Sequence, residues 1–137
     1  MATEGVFEIT RVVAGLNRLI HRAALSTKFV TMFLSVLEPD GGLVYCNAGH
    51  NPPLLLRDGA FEELDRGGTV LGPLASVGFE RGELVLRPGD TLALFTDGLV
   101  ERIGAGGVAY GTDRLRRLLF DRRGAQEAVE AILADLA

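Results

Sequence analysis

One stretch constrains this chain more than any other: Gly89 to Glu101, which reads Gly-Asp-Thr-Leu-Ala-Leu-Phe-Thr-Asp-Gly-Leu-Val-Glu. Leu92 to Phe95 are all apolar, which predicts a strand covered on both faces. The run stops abruptly at Thr96-Asp97-Gly98. An acid at the tip of a buried strand, followed by a glycine free to take positive φ, is a good way to hold a carboxylate still. A carboxylate held in that manner suits a hard cation such as magnesium or manganese. Asp-Gly is also a common turn dipeptide, and for these two residues alone a plain turn is the simpler reading.

The chain has 137 residues, the length of one domain, and a single domain over 1–137 is expected. With 47% hydrophobic and 23% charged residues, a packed core is feasible and disorder is disfavoured. A formal net charge of −4 argues against a nucleic-acid partner. Arg114, Arg116, Arg117, Arg122 and Arg123 cluster late in the chain, and at helical spacing they predict a solvated face. Cys46 is the only cysteine, which excludes an internal disulfide and a cysteine metal cluster. No signal peptide and no membrane-length apolar run are seen, so a soluble, cytoplasmic protein with no membrane partner is expected.

Ile9, Val12, Val13, Leu16, Leu19, Ile20 and Ala23 fall at helical spacing and predict a helix within residues 5–25. His21, near its end, is expected to interact with the negative helix terminus. Residues 29–37 predict a strand, Pro39-Asp40-Gly41-Gly42 a turn, and residues 43–46 a second strand antiparallel to the first. Residues 54–56 and 61–64 predict a further hairpin around Asp58-Gly59. Between the hairpins, Asn47-Ala48-Gly49-His50-Asn51-Pro52-Pro53 predicts a rigid polar connection. Residues 65–82 are glycine-rich and predict a loop, and residues 83–86 a short strand. Thr112 is expected to cap a helix over 113–120, with Asp113 in its first turn, and a last helix is expected from about residue 125. Helix, hairpins and then two helices imply an α+β fold with a largely antiparallel sheet.

Several of these stretches, in order, resemble one family: Phe29-Val30-Thr31-Met32-Phe33, Asn47 to Leu55, Leu71-Gly72, Leu86 to Thr91, Phe95 to Glu101, and Tyr110 to Leu115. Together they are similar to the SpoIIE-type branch of the metal-dependent (PPM, phosphatase 2C-like) protein serine/threonine phosphatases. The resemblance implies an α/β/β/α sandwich of two antiparallel sheets with helices outside. It also implies hydrolysis of phosphoserine or phosphothreonine in bacterial signalling, with two Mn²⁺ or Mg²⁺ ions as cofactors. The implied substrates are phosphorylated regulatory proteins, such as anti-sigma-factor antagonists. By motif match Asp97 is a metal ligand, Gly98 serves the sharp turn beside it, and Glu101 gives local support. The match around Asn47 to Pro53 implies a segment that shapes the connection; His50 there is expected to be a turn histidine bonded to backbone, the alternative being a proton donor near a leaving oxygen.

The family pattern also has a Gly-Asp-Val-x-Gly-His-Gly segment upstream and an Asp-Asp-x-Thr strand at the end, each with a metal-binding aspartate. Neither occurs here. The expectation is therefore a partial sandwich: the central and later part of the domain, without its N- and C-terminal metal-binding segments. One carboxylate does not hold two ions, because such ions take several oxygen ligands each. Asp65, Asp90 and Asp113 are the other acids that could stand in. A truncated piece of an active phosphatase and a non-catalytic pseudophosphatase that binds a regulatory protein both fit. Missing flanking strands would leave sheet edges free, so a homodimer through those edges is expected.

Overall fold

The apolar spacing at the start of the chain does make a helix, α1, over Ile9–Ala23, with Ile9, Val13 and Asn17 on its buried side. The computed structural model describes residues 8–23, 27–104, 106–121 and 124–137; the ends of the expected helix, at 5–7 and 24–25, lie outside them. Contacts divide the chain into two compact units. The first is Met1–His50 with Leu64–Arg87, and the second is Asn51–Glu63 with Pro88–Ala137.

The first unit is one sheet with α1. Strands β1 (Met32–Leu37) and β2 (Gly42–Ala48) form the expected hairpin, in register from Met32↔Ala48 to Leu37↔Leu43. The turn is closed by Asp40, whose Oδ1 accepts from Gly42 N at 2.9 Å. β1 starts later than expected, because Val30 leaves the hairpin and pairs with Leu71 through both its N–H and its carbonyl. The far edge of β2 is shared. Its first half takes β6 (Gly82–Val85) antiparallel, and Asn47 and Ala48 take the two-residue β5 (Gly67–Gly68) in parallel. The glycine-rich run expected as loop thus contributes a strand. Side-chain volume explains why: a Cβ on Gly67 would overlap the Asn47 carbonyl, so only glycine brings the chain this close. Ile9, Val13, Cys46, Ala48 and Leu71 form the fully buried core of this unit. Leu43 and Tyr45, on the opposite face of β2, are buried too.

The second unit is a three-stranded antiparallel sheet in the order β4-β3-β7, with helices on one side. The strands are β3 (Leu54–Arg57), β4 (Ala60–Glu63) and β7 (Thr91–Ala93). The Asp58-Gly59 turn forms as expected, with both residues at positive φ. β7 does not match its expectation. It is shorter than 92–95, its three residues are only partly buried, and Leu94 is 58% exposed. The physical reason is its place at the sheet edge, paired to β3 alone among the described residues. Leu54 packs with Tyr110, Leu115, Leu119 and Ala128, which come from the loop before α3 (Thr112–Phe120), from α3 itself and from α4 (Ala125–Leu136). Thr112 is not the cap of α3. Gly111, at φ 78°, takes that place, and Thr112 is the first helical residue. The late arginines are not simply a solvated face either. Arg114 pairs with Asp135 at 2.6 Å and Arg116 with Glu63 at 2.8 Å, while Arg122 and Arg123 lie outside the described residues.

Candidate functional site

After Ala93 the chain leaves the sheet. Thr96 is extended, at φ −116° and ψ 170°, and Asp97 opens a single helical turn, α2 (Asp97–Val100). The turn is closed by Leu99 N donating to Thr96 O at 3.0 Å and Glu101 N to Asp97 O at 2.9 Å. Leu99 and Val100 anchor it by packing on the core of the second unit. Asp97 therefore sits where the sheet ends, on a short turn whose apolar half is fixed and whose polar half faces out.

The Asp97 side chain is exposed, and its carboxylate has no hydrogen-bond or ion-pair partner among the described residues. It is not folded onto its own backbone; only its main-chain carbonyl is engaged. Gly98 does not use the positive φ expected of it, because it lies inside the helical turn. A Cβ there would approach Thr96 Oγ1 at 3.4 Å, an ordinary contact. Glu101 is the C-terminal cap of the turn and is exposed.

Of the other acids the sequence offers, Asp90 is already engaged. Asp90 is gripped by Arg57, whose Nε reaches Oδ1 at 3.0 Å and whose Nη2 reaches Oδ2 at 2.5 Å. With a side chain only 7% exposed, Asp90 ties the approach to β7 to the end of β3. Asp65 is exposed, and Asp113 lies in the first turn of α3. No group of three or more His, Cys, Asp or Glu side chains able to hold a metal ion occurs among the described residues. The residues present therefore do not fit a complete metal site by themselves; Asp97 is one free oxygen donor where such a site needs several.

The Asn47–His50 stretch is built for shape. Asn47 is 3% exposed; its Nδ2 donates to Leu64 O at 3.2 Å and its Oδ1 accepts from His50 N at 2.8 Å. Gly49, at φ 68°, packs against Val70 with no room for a side chain. The His50 ring meets Thr31 Oγ1 at 3.0 Å, a hydrogen bond within the same unit. His21 likewise does more than sit at a helix end. Its Nδ1 lies 2.6 Å from the Gly72 carbonyl, and a carbonyl only accepts, so this nitrogen carries the proton. One turn earlier, buried Asn17 donates to Leu74 O and accepts from Gly72 N, both at 2.9 Å. The two side chains, at i and i+4, clip the Leu71–Leu74 loop to α1.

Residues that sequence reasoning passed over lie behind the Asp97 turn. Tyr110 is 6% exposed, the Arg114 guanidinium stands 4.9 Å above its ring, and Arg114 Nη2 donates to Asp135 Oδ1 at 2.6 Å. Tyr110 Oη and Asp135 Oδ2 are both buried and do not reach hydrogen-bond geometry with each other. Each still acts on the other: burial first, and then the Asp135 carboxylate, push the phenol's pKa up. The hydrogen bond from Arg114 is the main reason the Asp135 carboxyl is held below its usual range. The spacing of 21 residues between Arg114 and Asp135 leaves no local signal for this cluster.

Residues 2–137 match the family described as stage II sporulation protein E (SpoIIE). The chain is 30% identical over 132 residues to the phosphoserine phosphatase RsbU of Bacillus subtilis, covering 93% of this chain and 39% of RsbU. It is 31% identical over 93 residues to protein IcfG of Synechocystis, covering 66% of this chain and 15% of IcfG. The chain thus spans well under half the length of these relatives. Among solved structures, the RsbU and RsbW domains of Rv1364c from Mycobacterium tuberculosis match at TM-score 0.71 and 27% identity, over 96% of this chain and 39% of that one. The phosphatase domain of SpoIIE from Bacillus subtilis (Mn presoaked) matches at TM-score 0.63 and 17% identity, over 93% of this chain and 55% of that one, and so shares the fold. The α+β class expected from the sequence, antiparallel sheets flanked by helices, is thus the class of these structures. The chain belongs to the SpoIIE family.

Proposed function

We propose that this chain is part of a protein phosphatase domain that hydrolyses phosphoserine or phosphothreonine with Mn²⁺ or Mg²⁺, Asp97 supplying one metal ligand. The carrying observation is that the Asp97 carboxylate stands exposed at the end of a sheet with no protein partner among the described residues. Carboxylates that serve only a turn bond back to nearby backbone N–H groups, and this one does not. Gly98 and Glu101 support it through the turn: Gly98 keeps the second position small, and Glu101 N closes the turn on the Asp97 carbonyl. The remaining ligands come from outside the described residues, in keeping with the share of RsbU that the chain spans.

The substrate we propose is a phosphorylated regulatory protein such as an anti-sigma-factor antagonist, in the cytoplasm. Support comes from RsbU, a phosphoserine phosphatase, and from Rv1364c, in which RsbU and RsbW domains occur together. No helix among the described residues is long and apolar enough to cross a membrane. The outer edges of β1 and β7 carry no further strand among the described residues, which supports a homodimer through sheet edges; a monomer by light scattering would remove it.

The test is phosphate release from a phosphoserine peptide with Mn²⁺, using the protein at its native length. Asp97→Asn should lower the rate at least about 100-fold, since even groups behind a ligand cost 10–100-fold. Its melting temperature should barely move, because the side chain is exposed. No activity in the wild type, or none lost in the variant, rejects the proposal. The alternative is a pseudophosphatase that binds a regulatory protein without chemistry. It is favoured by the lack of any group of three ligands among the described residues. Tight binding of two ions per chain in calorimetry would exclude it.

A further inference from the structure

The Asp97 carboxylate has no side-chain restraint among the described residues, so its position is set by the backbone of its turn alone. That backbone is held from behind by two consecutive donors. Tyr110 N donates to Arg102 O at 2.8 Å, and Gly111 N donates to Val100 O at 2.9 Å. Between these strands of the clamp runs a glycine-rich loop with Gly104, Gly106 and Gly107. It lies over a cavity of about 350 Å³ lined by Arg102, Val108, Tyr110, Arg114 and Asp135 among others. Gly107 N to Gly104 O at 3.0 Å and Gly104 N to Val108 O at 3.1 Å close the loop on itself, and these bonds do not tie it to the core. What anchors its base in the core is the Tyr110 ring, packed in the cluster with Phe95, Leu99, Val100 and Leu136 and covered by Arg114.

From this we infer that Tyr110 is a positioning residue for the Asp97 turn, itself locked in place by the Arg114–Asp135 ion pair at the end of α4. The inference rests on the proposed role of Asp97 for its functional meaning, and on geometry alone for the coupling. The last turn of α4 supplies Asp135 and the first turn of α3 supplies Arg114; the two pair directly at 2.6 Å, and the guanidinium so held covers the ring of Tyr110, whose place sets where the peptide groups at 110 and 111 stand. Shifting that ring moves both donors of the clamp together. The phenol has little scope to ionise, since burial and Asp135 both raise its pKa, so the ring stays neutral among these partners.

Residue-resolved amide hydrogen exchange on the full chain tests the coupling without metal or substrate. The amides to follow are Glu101, Tyr110 and Gly111, whose bonds define the turn and its clamp. Asp135→Asn and Tyr110→Leu should accelerate their exchange by about tenfold or more, through local opening. Leu119→Ala, which loosens the same core without touching the loop, serves as control and should accelerate them far less at an equal loss of melting temperature. Equal acceleration in the control, or none in Asp135→Asn, overturns the inference. Asp97→Asn should leave these amides unchanged, so failure of the metal-ligand proposal is scored separately, by phosphate release. Where that activity is present, Asp135→Asn should lower kcat with KM for the phosphopeptide unchanged, because the residue sets geometry and does not touch substrate; a rise in KM alone would also overturn it.

Discussion

Asp97 and Asp90 lie seven positions apart on the same stretch, and their surroundings set them to opposite uses. Asp90 is sunk against Arg57 and is structural; Asp97 projects from the turn and is chemically available. The sequence marked Asp97 through its place after an apolar run, and that much was legible. It did not show that Arg57 claims Asp90, because the pairing spans 33 residues. Asp135 shows the same limit and carries a pH prediction. Its folded pKa lies below the ordinary 3.8, so its share of stability is fully present above that value and is lost as pH falls through the lower folded one. The melting-temperature gap between wild type and Asp135→Asn should therefore be constant from pH 7 to about 5 and narrow below about 3.8. A gap that stays constant into strong acid would mean the charge on Asp135 does not matter.

At the scale of elements, hairpins and helices were legible wherever a local rule decides them. Alternating apolar residues, Asp-Gly turns and helical spacing each act within a few positions, and β1–β2, β3–β4, α1, α3 and α4 follow them. Elements decided by distant partners were not. β5 exists because Gly67 and Gly68 meet Asn47 and Ala48, about 20 positions away. β7 ends early because it is an edge, which composition does not reveal. Gly67→Ala tests the first point. Its Cβ would overlap the Asn47 carbonyl, so the strand must separate and Asn47 must give up its place. A loss of about 3 kcal/mol is expected from chemical denaturation, the upper range for overpacking a buried site. Gly106→Ala, with open space around it, is the control and should cost far less. Equal losses would show that close approach is not what selects glycine at 67.

Over the whole chain, family membership was legible because the motif stretches occur in order along nearly its full length, and residues 2–137 match the SpoIIE family. The division into two units, one with a sheet and α1 and the other with a sheet and the later helices, was not legible, since the second unit is assembled from segments on both sides of Leu64–Arg87. The candidate site was legible as one residue and its turn, while the cluster that backs that turn emerged only from the fold. Crystals of the native-length protein grown with Mn²⁺, measured at the manganese absorption edge, test the role of Asp97 most directly. An anomalous peak about 2.0–2.6 Å from an Asp97 carboxylate oxygen, the range hard cations keep to oxygen, is the expected result. A manganese ion bound elsewhere, with the Asp97 side chain turned back to its own backbone or paired to a protein cation, would contradict it.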